Sequence, residues 1–229
     1  MKSPSLVILL AVLTCLSCVT NVPTVSKTTP PQAVTAGGLL TQLQPPDDER
    51  VYYQPPSLAE RLALHEAATA LFQGLESGAD VTQLTNDFAR AGLHMQILPG
   101  NSNVSDPKPK NQSPKTNDEW VILWESGPAW RGAGVYMFRT NTTSDTVLQA
   151  PHRFHDRQTG EIALSLFEAS DARALFFNNL HRYRATPDER AAAADHRADL
   201  AHTTDSYFYA ITDAYLKSFP EARIVQLHG

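Results

Sequence analysis

Three short apolar runs near the end of the chain constrain its fold more than anything else in it. They are "DTVLQAP", "ARALFFNNL" and "ARIVQLHG", and two stretches of helical character separate them, "TGEIALSLFEAS" and "TTDSYFYAITDAYLKSF". Strands that alternate with helices read as β-α-β-α-β, and this pattern builds a parallel sheet covered by helices. Asp205 or Thr204 is the expected cap of the second helix. The connection between Leu180 and Ala201 is long and charged, with room for a short helix through "PDERAAAADHRADLA".

The preceding half supplies helix, helix, strand, loop, strand, strand. "SLAERLALHEAATALFQGLESG" opens on a capping-box pattern of Ser57 and Glu60 and closes at Gly78. "DVTQLTNDFARAG" repeats the plan, with Asp80 as cap and Gly92 as stop. "LHMQILPG", "EWVILWESG" and "GAGVYMFRTN" are strand-like, and the polar "NSNVSDPKPKNQSPKTND" reads as an exposed loop. Together these segments predict a single α/β domain over residues 57–229, with a mostly parallel or mixed sheet and helices on both faces in three layers.

Residues 1–18 have the form of an export signal. Lys2 precedes the apolar "LVILLAVLTCL", which is too short to span a bilayer, and "CLSC" follows. The sequence around Cys18 resembles the site at which bacterial lipoproteins are cut and lipidated. It therefore predicts an exported protein anchored in the cell envelope through Cys18, with a periplasmic or secreted protein as the alternative. Residues 19–56, with "TTPPQ", "QPPDD" and "QPPS", read as a disordered tether. The chain's two cysteines are Cys15 and Cys18, so the domain itself has no disulfide framework and no thiolate chemistry. A formal charge of −5 lacks the basic face that nucleic acid requires.

In open α/β sheets, sites form beyond the carboxyl ends of the strands. His152, His155 and Asp156 follow the first run of the β-α-β-α-β segment, His181 and Arg182 the second, and His228 the third. One histidine at a strand end is more often a solvated residue than a ligand. Three on successive strands point to a shared pocket. Imidazoles with a carboxylate suit zinc, with one position left open for water. Glu161 and His181 are candidates to carry protons there. Arg153, Arg157 and Arg182 are candidates to pair with a substrate carboxylate. His196 and His202 lie in the long connection and read as exposed. His65 and His94 lie apart from the cluster. No G-x-S-x-G nucleophile elbow is present, which disfavours a serine hydrolase.

"APHRFHDRQTGEIAL" followed by "VQLHG" resembles zinc hydrolases of the poly-γ-glutamate hydrolase type and, more distantly, zinc carboxypeptidases. The resemblance spans roughly the last 85 residues. It implies that His152 is the first metal ligand, Asp156 the acidic ligand and His228 the last. The histidine-to-acid spacing differs by one from the family pattern, so Glu161 stays open as the alternative acidic ligand. The resemblance also implies hydrolysis of a peptide or γ-glutamyl amide. In that family the general-base carboxylate follows the last histidine, and here Gly229 follows directly. A truncated hydrolase, or a non-catalytic envelope lipoprotein that binds a ligand or partner, are the corresponding expectations.

Overall fold

The computed structural model describes Leu43 and residues 51–99, 119–125, 130–156, 158–187 and 196–229. All of them belong to one contact unit, Val34–Gly229. The expected export signal, most of the tether, the 100–118 loop and Arg157 lie outside the described residues.

Six strands form one sheet: β1 (His94–Pro99), β2 (Glu119–Trp124), β3 (Val135–Arg139), β4 (Thr146–Ala150), β5 (Ala174–Phe177) and β6 (Arg223–Gln226). Their spatial order is β1-β2-β3-β5-β4-β6. The first three are antiparallel neighbours, and β3 also runs antiparallel to β5. β4 pairs in parallel with both β5 and β6. The three apolar runs thus form a parallel half-sheet with β4 at its centre.

Alternation along the strands assigns two cores. Val121, Leu123, Tyr136, Phe138, Val147, Ala174 and Phe176 face helices α1 (Leu58–Ser77) and α4 (Tyr207–Ser218). Phe72 on α1 packs against Phe138 and against Tyr215 on α4, with ring centroids 5.2 Å away in each case. Trp120, Ile122, Val135, Met137, Leu148, Leu175 and Phe177 face α3 (Thr159–Ala169), which presents Ala163, Leu164 and Phe167. The helix α2 (Thr85–Arg90) follows a 3₁₀ turn at Thr82–Leu84. Helices on both faces of a mixed sheet make the expected three-layer α/β fold.

The capping box on α1 forms as predicted: Ser57 Oγ accepts from Glu60 N, and Glu60 Oε2 accepts from Ser57 N. Gly78 ends the helix at φ 67°, a conformation glycine adopts without steric cost. Three local expectations differ. Ser206 caps α4, accepting from Tyr209 N at 3.0 Å, because its position places Oγ one turn below that amide. Asp80 accepts from Thr82 N and so shapes the 3₁₀ turn ahead of α2. The tether ends earlier than residue 56: Tyr53 is buried, its N–H bonded to Arg184 O at 2.7 Å, and Gln54 N donates to Arg131 O at 2.9 Å. Of the short helix expected after Leu180, only a 3₁₀ turn at His196–Ala198 lies among the described residues.

Candidate metal centre

Strand β4 stops at Pro151, and the chain then turns tightly. The amides of His155 and Asp156 both donate to His152 O at 2.8 Å. This turn places the His152 and Asp156 side chains together. Asn178, just past β5, ties it down by accepting from Arg153 N at 3.0 Å. From the edge of the sheet, β6 brings His228 to the same place. The His152 and His228 rings lie 5.1 Å apart.

Two groups of side chains share His152. The first is His152, Asp156 and His228; the second is His152, Asp199 and His202. His152 and Asp199 are almost wholly buried, Asp156 is nine-tenths buried, and both other histidines are exposed. Distances separate the two groups chemically. Tetrahedral ligand atoms about 2.0–2.1 Å from zinc lie about 3.4 Å from one another. Asp156 Oδ2 is 3.7 Å from His152 Nδ1 and 3.6 Å from His228 Nδ1, which leaves room for an ion. Asp199 Oδ1 is 2.7 Å from His152 Nε2, a hydrogen bond with no such room.

Hydrogen-bond accounting points the same way. Asp156 Oδ2 is buried and has no hydrogen-bond partner among the described residues. A buried carboxylate oxygen without a donor is costly, and a cation is the natural complement. A carboxylate only accepts, so Asp199 pairs with a protonated His152 Nε2, and in the neutral ring of that tautomer the Nδ1 lone pair faces Asp156. The geometry and the donor chemistry therefore fit a zinc-type ion held by His152 Nδ1, Asp156 Oδ2 and His228 Nδ1.

Asp199 organises the other side of His152. Arg182 donates to its Oδ2, and His202 Nδ1 lies 3.2 Å from Oδ1. Burial pushes the Asp199 carboxyl up, but hydrogen bonds from His152 and His202 and the charge of Arg182 hold it below its ordinary value. Asp199 is 47 residues from His152 in a charged connection, so neither strand ends nor spacing marked it in the sequence. His202, expected to be merely exposed, is exposed and also bonded to Asp199.

The remaining expected residues sit further out. Glu161 lies exposed in the first turn of α3, outside both groups, where its charge acts on Arg153. Burial lowers the Arg153 guanidinium to about 10. His181 packs against the His155 ring at 5.6 Å and against Tyr183 at 5.3 Å, also outside both groups. Burial, then His155 and the neighbouring arginines, lower its affinity for a proton. Arg182 does reach the site, through Asp199.

Fold and site together define an open α/β domain with an ion-sized gap at the carboxyl end of its parallel strands. No family model, no curated protein and no solved structure matches the chain.

Proposed function

We propose that the chain is an exported zinc-dependent hydrolase of amide bonds, with His152, Asp156 and His228 as the metal ligands. The orphaned, buried Asp156 Oδ2 between two imidazole nitrogens is the observation that carries this reading. Bound zinc supplies a water of lowered pKa as nucleophile. Asp199 orients His152 through Nε2, in the manner of carboxylate–histidine pairs behind metal ions, and Arg182 fixes Asp199 in turn. Engagement with Asp199 gives Arg182 an orienting role in place of the substrate contact expected for it.

His202 is the proton carrier best supported by its neighbours. Asp199 holds its Nδ1, leaving Nε2 as the nitrogen that takes a proton from water and returns it to the leaving amine. Glu161 and His181, outside both groups, would act only from the periphery. The peptide or γ-glutamyl substrate follows from the resemblance in the last 85 residues, and the envelope location with a Cys18 anchor from residues 1–18. No helix among the described residues is long and apolar enough to cross a membrane.

Metal analysis of the purified protein tests the site. One zinc per chain is expected, with loss in His152→Ala and His228→Ala. A folded wild-type protein that takes up no zinc would overturn the reading. A second reading, a metal-bound binding module without turnover, is favoured by one observation: among the described residues, neither group contains a carboxylate beyond Asp156 and Asp199. Stoichiometric zinc without hydrolysis of any peptide or γ-glutamyl amide selects it.

A further inference from the structure

Behind His228 runs a chain of hydrogen bonds whose direction is set at its far end. Thr212, on α4, donates its single hydroxyl proton to the backbone carbonyl of Phe208 at 2.8 Å. Toward Gln149 that oxygen can therefore only accept, and Gln149 Nε2 donates to it at 3.1 Å. Gln149 is fully buried at the end of the central strand, so its amide orientation is fixed. Its Oε1 accepts from Gln226 Nε2 at 2.8 Å, across the β4–β6 pair in which Gln149 and Gln226 are register partners. Gln226 must then turn its Oε1 outward, and His228 Nε2 lies 3.3 Å from it. An amide oxygen only accepts, so a neutral His228 meeting it carries its proton on Nε2. The bare nitrogen is Nδ1, the one 3.6 Å from Asp156 Oδ2.

We propose that Thr212, Gln149 and Gln226 are positioning residues that hold His228 in its Nε2–H tautomer, with the Nδ1 lone pair facing Asp156. On the other side of the gap Asp199 does the same for His152, so both imidazoles present Nδ1. The purpose of the relay rests on the metal reading above, but its existence can be measured without metal.

The test is nitrogen-15 NMR of the metal-free full chain in alkaline buffer, where imidazoles are neutral and the two tautomers have distinct ring-nitrogen signatures. Wild type is expected to show His228 protonated on Nε2. Thr212→Val removes the acceptor that orients Gln149, and Gln226→Leu removes the acceptor facing the ring. Each is expected to shift His228 toward the Nδ1–H tautomer and to weaken zinc binding about 10–100-fold. Thr212→Ser should restore both. Gln226 is exposed on an edge strand, so its variant reports even where Thr212→Val perturbs folding. His228 carrying its proton on Nδ1 in wild type, or keeping Nε2–H in both variants, overturns the relay. The tautomer shifts in a protein that binds no zinc would uphold the relay and remove the metal reading.

Discussion

Two buried carboxylates, each just beyond the carboxyl end of a strand at the same edge of the sheet, have opposite fates. Glu125 follows β2 and is cradled. The backbone amides of Arg131, Gly132 and Ala133 donate to it at 2.6, 2.8 and 2.9 Å, and the Asn179 amide adds a fourth bond. Burial pushes its carboxyl up, while these four donors pull it back. Asp156 follows β4 and has a buried oxygen with no hydrogen-bond donor among the described residues, 3.7 and 3.6 Å from the Nδ1 atoms of His152 and His228. Glu125 completes a loop and fixes how the chain enters β3. Gly134 completes the same corner: a Cβ there would come within 2.9 Å of Phe177 O. A satisfied buried charge maintains structure; an unsatisfied one invites a ligand.

The comparison breaks most visibly at Asp156. Asp156→Ala should abolish stoichiometric zinc binding and hydrolysis, measured by metal analysis and amide turnover, yet leave the metal-free protein as stable as wild type or more so. His202→Ala should retain zinc and lower kcat by about 10²–10⁴-fold, as removal of a proton carrier does. Glu125→Ala should do the reverse of Asp156→Ala, sparing the metal site's ligands and destabilising the fold. It leaves three backbone donors without an acceptor, at about 1–3 kcal/mol for each one that stays buried, so denaturant unfolding should show a loss of about 3 kcal/mol or more.

A third carboxylate supplies the smallest effect. Glu60 is joined to Arg131, the residue whose backbone also holds Glu125. The Arg131 hydrogen bond lowers its carboxyl from the ordinary 4.5 to about 2, against a partial opposing effect of burial. Its ionised form therefore contributes stability that is complete above pH 4.5 and is lost as pH falls toward about 2. The stability difference between wild type and Glu60→Gln should vanish over that window. A difference that stays constant would exclude the ion pair as its source.

Much of this was legible in the residues. Apolar runs alternating with helical stretches predicted the parallel half-sheet, and strand ends located His152, Asp156 and His228 because side chains beyond neighbouring parallel strands converge. Asp199 and Glu125 were not legible, for a common reason. Their partners are set by tertiary contact: an imidazole 47 residues away for one, and backbone amides, which leave no side-chain signature, for the other. Ser206 was missed because Thr204, Asp205 and Ser206 are all good cap formers, and only the phase of the helix selects among them. His181 was misplaced relative to the group because the chain continues to turn after Leu180, carrying the ring toward His155.

The strand that brings His228 lies at an edge of the sheet, and all four of its residues are exposed. Among the described strands it pairs with β4 alone, so it can peel away while both cores stay intact. Ion uptake would then act as a latch, fastening this border to the buried turn at His152. Amide exchange along Arg223–Gln226 would slow with added cation while the exchange of β2 and β3 stayed unchanged.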